Sequence, residues 1–322
     1  MKKLTFLLIC FGFLGWGYRI MTGSTTGTYY KIGENIRDFI ARPVGIKLEV
    51  KPSHGSLDNL TKMILDPESR FAIVQQDVIE IARKNKNISL RAITRNLKLL
   101  LPLYIEEVHL IVRKESPYRH FEDLKGKVAG IVINSGSALT TRVLLKRIFN
   151  TPNSFKSLNS FQEGLEKLER GEIEWVIAVC GQPCSKIKQL DGNKFRLLPF
   201  DPNKQYGDYS NCFIDNKNYP NLHLTAPLPT IGVRSLLVIY DDSDPNVMSD
   251  VRKLAVQFYR SKKILQKQGH PKWKQVSFEL TKIAGWKYYT PFKDGWRIGF
   301  DTLNNKVEEK LSIKDVMVNL NQ

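Results

Sequence analysis

Five stretches of the sequence bring hydroxyl, amide and glycine residues to the point where a short apolar run gives way to a helical pattern. The first is Gly23-Ser-Thr-Thr-Gly-Thr-Tyr-Tyr30, between an expected strand at 18–22 and a helix with Tyr29, Ile32, Ile36, Phe39 and Ile40 on one face. The second is Pro52-Ser-His-Gly-Ser-Leu-Asp-Asn59, and the third is Gln75-Gln-Asp77, directly after the apolar run 71–74. Asn134-Ser-Gly-Ser137 follows the apolar strand 128–133, and Cys180-Gly-Gln-Pro183 follows a strand at 174–179. The chemistry that such residues do is recognition of a carboxylate or phosphate. The first N–H groups of a helix lack intrahelical partners and sit at the positive end of its dipole. Glycine lets the backbone approach closely, and hydroxyls add donors. An ordinary capped helix start has a similar composition, so any one of these loops is weak evidence; five of them carry more.

The elements that position these loops alternate, strand then helix, which predicts a mostly parallel sheet flanked by helices. In such sheets ligands collect beyond the carboxyl ends of the strands. Further strands are expected at 46–51, 88–94, 195–198 and 231–240, with two extended pieces around Pro102 within 99–112. Helices are expected with Leu57, Leu60, Met63 and Ile64 on one face, then over 78–84, then with Leu139, Val143, Leu144 and Ile148 aligned. Ser160-Phe-Gln-Glu163 is a capping box and Gly171 a C-cap. Pro183 suits the first turn of a helix opened by the Cys180 loop. Residues 199–229 are loop-rich. Asp242-Ser-Asp-Pro245 caps a helix bearing Val247, Val251, Leu254 and Phe258. The aromatic stretch with Trp273, Trp286, Tyr288, Tyr289 and Trp296 is expected in a core or interface, and a last helix at 307–311.

The 322 residues suffice for one large or two medium domains. A balance of 49 basic and 32 acidic residues gives a net charge of +17. Lys and Arg are scattered, without the basic–aromatic grooves or motifs of nucleic-acid binding, so a nucleic-acid partner is not expected. Lys2-Lys3, the apolar run 4–14 and Gly15-Trp-Gly17 read as a secretory signal over residues 1–17, cleaved near Gly17 or else kept as an anchor. Cleavage would remove two lysines, leaving 17 − 2 = +15, and would remove Cys10, leaving Cys180, Cys184 and Cys212. At most one internal bridge can then form, between a pair the sequence does not specify. No catalytic motif, metal spacing or cofactor motif appears. His54 reads as support for its own turn. Glu106 and Glu107 are adjacent on an expected strand, so they point to opposite faces and make a poor acid–base pair.

Gly23-Ser-Thr-Thr-Gly-Thr-Tyr-Tyr30 resembles the opening signature of the TAXI solute receptors of tripartite TRAP transporters. Ser53–Leu60, Phe71-Ala-Ile-Val-Gln-Gln-Asp77, Leu124-Lys-Gly-Lys127 through Ser137, and Leu168–Ile173 leading into Gly181-Gln-Pro183 agree with it in order and spacing. The likeness spans residues 18–265. It implies an α/β, type II periplasmic-binding-protein-like fold: two α/β domains joined by a two-strand hinge, with a ligand cleft between them. One domain would be 18–108 with 234–322 and the other 109–233, hinged near 104–112 and 231–240. It further implies an exported, periplasmic protein, neither an enzyme nor a cofactor carrier. Such a protein would capture a small organic anion (glutamate, a dicarboxylate or a 2-oxoacid) and pass it to TRAP membrane subunits. By position, Ser24, Thr28, Tyr29, Ser56, Asn59, Gln76 and Asp77 would face the ligand from the first domain. Ser135, Ser137, Thr140, Cys180 and Gln182 would face it from the second, with Arg142 the nearest carboxylate partner. Cys180 stands where the family more often has a small or hydroxyl residue, and the segment 289–296 departs from the family's usual ending. Two other readings use the same fold: a ligand-sensing signalling module, and an enzyme with Cys180 or Cys184 as nucleophile and His120 or His223 folded in as base.

Overall fold

A computed structural model of the chain describes residues 17–84, 88–152 and 154–303. The expected signal segment and the helix at 307–311 lie outside these, apart from Gly17. The first part of the chain alternates strands and helices: β1 (Tyr18–Met21), α1 (Thr28–Ile36), β2 (Leu48–Lys51), α2 (Ser56–Leu65), β3 (Phe71–Gln75), α3 (Gln76–Arg83) and α4 (Ile88–Asn96). A long strand β4 (Leu97–Arg113) leads to β5 (Ala129–Val132), α5 (Gly136–Val143), β6 (Phe155–Leu158), α6 (Phe161–Glu169) and β7 (Trp175–Cys180). Then come a single turn α7 (Ser185–Lys188), β8 (Phe195–Leu197), β9 (Ser210–Ile214), a second long strand β10 (Leu228–Tyr240), α8 (Pro245–Gln268) and a helix α9 over the described residues 290–303.

The described strands form one sheet in the order β2-β1-β3-β10-β4-β7-β5-β6, with β8 on β4 and β9 on β10. Parallel pairing is confined to its flanks, β2-β1-β3 and β7-β5-β6. The pairs involving β4 and β10 are antiparallel, so the expectation of a mostly parallel sheet needs correcting. The cause is connectivity: the chain crosses between the two flanks along β4 and returns along β10. Each long strand changes neighbours midway. β10 pairs with β9 through Gly232 and with β3 from Ser235, while β4 takes up β7 at Glu107. The result is the expected mixed α/β architecture, two sheet-and-helix halves joined by two long strands.

Each half owns its core. On one face of the first half, Ile32, Ile36 and Ile40 meet Val251, Leu254 and Phe258 of α8 and the C-terminal aromatics Trp273, Tyr289 and Trp296. The aromatic tail is therefore core, as its composition suggests. In the second half Phe121 stacks between Phe149 and Phe200, at centroid distances of 4.4 and 4.5 Å.

Three local expectations change. Residues 88–94 are helical, in α4, which lies against α2 and α3; a short apolar run is ambiguous between helix and strand until its neighbours are known. The stretch around Pro102 is one strand, and β10 accommodates it with register shifts opposite residues 99–105. Pro183 precedes α7 rather than opening it: the Gln182–Pro183 bond is cis and Cys184 is the N-cap.

One buried ion pair ties the C-terminal segment to the crossing strands. Lys272 Nζ donates to Glu107 Oε1 at 2.5 Å, to the Ile105 carbonyl at 2.8 Å and to Gln275 Oε1 at 2.9 Å. Lys272 is 1% exposed and Glu107 2%. Removing one member of such a pair leaves an uncompensated buried charge. Lys272→Ala is expected to cost about 3–5 kcal/mol in urea-induced unfolding, and adding Glu107→Gln should recover part of that loss.

Candidate functional site

A cavity of about 320 Å³ opens between the two halves, lined by the loops that the sequence singles out. The first half contributes Gly23, Ser24 and Thr26–Tyr29, then Ser53–Ser56, then Gln75 and Glu106. The second contributes Ser135–Ser137, Asn159–Phe161, Ala178–Cys180 and Cys184–Lys186.

Several helix N-termini meet here, and those of α1, α2, α5 and α6 differ in a way that matters. In α5, the Ser135 hydroxyl caps by accepting from Ala138 N at 3.1 Å, and in α6 Ser160 accepts from Glu163 N at 3.0 Å. The α1 and α2 helices begin at Gly27 and Gly55 and have no side-chain cap. Their first N–H groups are left for a ligand or water. Gly55 adopts φ +114°, a conformation that a side chain would resist, and its Cβ position lies 3.6 Å from the Gly136 nitrogen across the cleft.

Gln75 completes the donor set. It is 3% exposed, and its Nε2 has no hydrogen-bond partner among the described residues. Its Oε1 lies against Gly136, where an added Cβ would come within 1.5 Å, and Ser56 Oγ accepts from the Gln75 backbone N at 3.0 Å. A buried amide donor without a partner is costly unless something else accepts from it. Gln75 therefore stands at the cavity wall as a buried amide whose donor is unmet among the described residues.

Glu106 is the one acidic side chain among the described lining residues. It is 3% exposed, and its Oε2 accepts from the Tyr29 hydroxyl at 2.5 Å. Burial pushes its pKa up to about 8, against the opposing effect of the Tyr29 hydrogen bond. The pleat sends Glu107 the other way, to Lys272 and to Gln182, whose backbone N and Nε2 donate to it at 2.9 and 3.0 Å. The opposite-face expectation for these two carboxylates is met.

Of the twelve residues expected to face a ligand, the structure brings Ser24, Thr28, Tyr29, Ser56, Ser135, Ser137 and Cys180 to the cavity. Their hydroxyls are not equally free. Thr28 Oγ1 donates to the Gly181 carbonyl at 2.8 Å, bridging the halves, and Ser137 Oγ accepts from Val179 N at 3.0 Å. The other five do not line it. Asn59 is buried beneath, donating to the carbonyls of Thr22 and Ile73 at 2.6 and 2.8 Å. Gln182 is held by Glu107 and by the Phe213 carbonyl. Gln76 and Asp77 line a separate cavity of about 640 Å³, with Arg142 and Arg234. Thr140 is buried, donating to Asp77 Oδ2 at 2.8 Å across the interface, and Tyr209 donates to the same oxygen at 2.9 Å. Arg142 lies over the Phe155 ring, 4.6 Å from its centroid.

Sequence reasoning missed Gln75, Glu106 and Lys186. The β3 strand runs one residue further than its apolar run, so the first glutamine, not the second, ends the strand at the cleft. Glu106 carried a signal: a carboxyl inside an apolar strand without a neighbouring cation in sequence. Cys180 and Cys184 are bridged, so neither offers a thiol, and the histidine beside Cys180 is His109 rather than His120 or His223.

Burial pushes the Asp77 carboxyl up to about 6, while its bonds from Thr140 and Tyr209 oppose the shift. A carboxyl whose folded pKa exceeds its unfolded value binds protons more tightly when folded. Asp77 therefore adds stability as pH falls through about 6 toward the ordinary carboxylate range and loses that increment as pH rises. The stability difference between wild type and Asp77→Asn, from urea titrations, should change by about 1–3 kcal/mol between pH ~7 and ~4 in that sense.

The chain shares a general shape with several solved structures. One is the substrate-binding protein of an amino acid ABC transporter, at 14% identity and TM-score 0.49, over 78% of this chain and 98% of that one. Another is an ancestral arginine-binding protein bound to arginine, at 14% identity and TM-score 0.49, over 79% and 98%. A third is the periplasmic VFT2 domain of Bordetella pertussis BvgS, at 12% identity and TM-score 0.45, over 73% and 86%. Likeness at this level says nothing of the ligand. The family model that matches does so over residues 20–292, and the chain belongs to the NMT1-like family.

Proposed function

We propose that this chain is an extracytoplasmic solute receptor that closes its two halves over a small organic anion. The observation that carries the reading is the partnerless Gln75 amide, buried at a cavity beside the uncapped starts of α1 and α2. These donors suit a carboxylate without needing a buried cation, and enclosure between the halves excludes water from it. Ser24 and Thr26 stand exposed at the mouth, and the Lys186 ammonium lies 5.7 Å from the Phe161 ring centroid on the opposite wall.

The sequence likeness to TAXI receptors supports a finer reading, in which the bound acid is handed to TRAP-type membrane subunits at the outer face of the membrane. The segments that carry this likeness, 23–30, 53–60 and 71–77, are those that bring Ser24, Ser56 and Gln75 to the cavity. The expected domains, 18–108 with 234–322 and 109–233, fit a hinge where β4 and β10 exchange neighbours, at 105–107 and 232–235.

The test is a thermal-shift and calorimetric panel of dicarboxylates, 2-oxoacids and amino acids on the protein purified without its first 17 residues. A true ligand at about a hundred times its Kd should stabilise the fold by about 2.7 kcal/mol. If no organic acid shifts the melting temperature, the reading fails. Gln75→Leu, which removes the orphan donor, is expected to weaken binding by about ten- to a hundredfold with cooperative melting retained. Ser24→Ala should weaken it less, because Ser24 is exposed at the cavity mouth. Undiminished binding by Gln75→Leu would take the ligand out of this cavity.

A further inference from the structure

Glu106 is a buried acid at the wall of a cavity whose other polar groups are mostly donors, and the charges around it explain what it can do there. On its own strand stand Tyr104 and Glu107; α1 brings Tyr29, α3 brings Asp77, and the C-terminal segment brings Lys272. Lys272 is the cation nearest to hand, but all three of its ammonium protons are taken, by Glu107, the Ile105 carbonyl and Gln275. Lys186 and His54 also line the cavity, Lys186 from the second half, where it lies over the Phe161 ring, and His54 from the loop before α2. Among the described residues no lysine, arginine or histidine makes an ion pair with Glu106. The Tyr29 hydroxyl already donates to Oε2. A solute carboxylate entering this enclosure would face an ionised Glu106 that has no cation paired to it among the described residues, and two such charges side by side disfavour each other.

We infer that Glu106 meets the solute as a neutral acid, its proton hydrogen-bonded to the solute's carboxylate while Gln75 Nε2 donates to the same group. Capture of the anion is thereby coupled to retention of one proton, and the solute class narrows to di- or oxo-carboxylic acids that place no ammonium group beside Glu106. This rests on the receptor reading above and deepens it. The pKa pushed up to about 8 by burial agrees with the geometry: near neutral pH the acid form already prevails in the closed cavity. An amino acid seated with its ammonium against Glu106 would need the opposite state, with the carboxyl ionised. The two solute classes therefore respond to pH in opposite directions.

Calorimetric titration of succinate, 2-oxoglutarate, L-glutamate and the tightest acid of the panel into the full mature chain separates them. If Glu106 binds as the acid, affinity for a dicarboxylate or oxoacid weakens about tenfold between pH ~7 and ~9, the slope of one linked proton. Glu106→Gln, which carries a neutral donor at every pH, should flatten that fall to less than about twofold. Glu106→Asp, shorter by a methylene but still titratable, should keep the slope. Affinity that is flat with pH in the wild type overturns the assignment. So does affinity that rises toward pH ~8 with L-glutamate the tightest probe, because Glu106 is then an ionised partner for an ammonium group. Failure of every acid in the panel to bind overturns the receptor reading itself, whereas binding with the wrong pH dependence overturns the role of Glu106 alone.

Discussion

Two adjacent carboxyls on a strand buried from both sides set the terms for the rest of this molecule. The pleat sends Glu106 to one face of β4 and Glu107 to the other, and both are buried. Each must be met from outside its own strand. Glu107 draws in Lys272 from a segment 165 residues away, together with the Gln182 amide. Among the described residues Glu106 receives the Tyr29 phenol instead of a cation. The crossing strand thus has a charged, fully partnered face that fastens the C-terminal segment to the hinge. Its other face carries Glu106 without an ion-pair partner among the described residues and borders a donor-rich cavity.

The two halves also hold each other directly across the cleft. The Thr28 hydroxyl meets the Gly181 carbonyl at 2.8 Å, and Asp77 collects Thr140 and Tyr209. Around these, close approach of backbone does the rest. Gly55 faces the Gly136 nitrogen, and Gly136 itself is bounded by the Gln75 carboxamide. A Cβ at residue 136 would collide with Gln75, so the glycine that opens α5 is there for the fit between halves as much as for its helix. The loops are therefore built twice over, to present donors inward and to let the two walls come within van der Waals reach.

What was legible in the sequence follows from which forces are local. Helix periodicity and caps are local, and Ser160, Asp244 and the α8 face fall where the pattern puts them. The polar loops after strands are local too, and seven of the twelve residues chosen from them line the cavity. The direction of the central strands is not local: it depends on where the chain crosses between halves, so a pattern of alternating elements implied more parallel pairing than exists. Residues 88–94 illustrate the same limit at short range, since packing against α2 and α3 settles a run that propensity leaves open.

The register of a strand end is the finest of these non-local facts, and here it decides the chemistry. Gln75 and Gln76 are the same residue type side by side, and nothing in their neighbours separates them. Extending β3 by one residue pairs Gln75 with Ser235 of β10 and aims its side chain at the cavity. Gln76 becomes the first residue of α3 and reaches Glu80 instead, at 3.0 Å, on the wall of the other cavity. Because side chains alternate along a strand, one residue of register moves a group from one face to the other. Asp77 is carried along by the same step, away from the first cavity and into the contact that joins the halves. The polar motif that marks the third loop therefore divides its labour: its first residue faces the cavity, its last fastens the halves, and the residue between them serves neither.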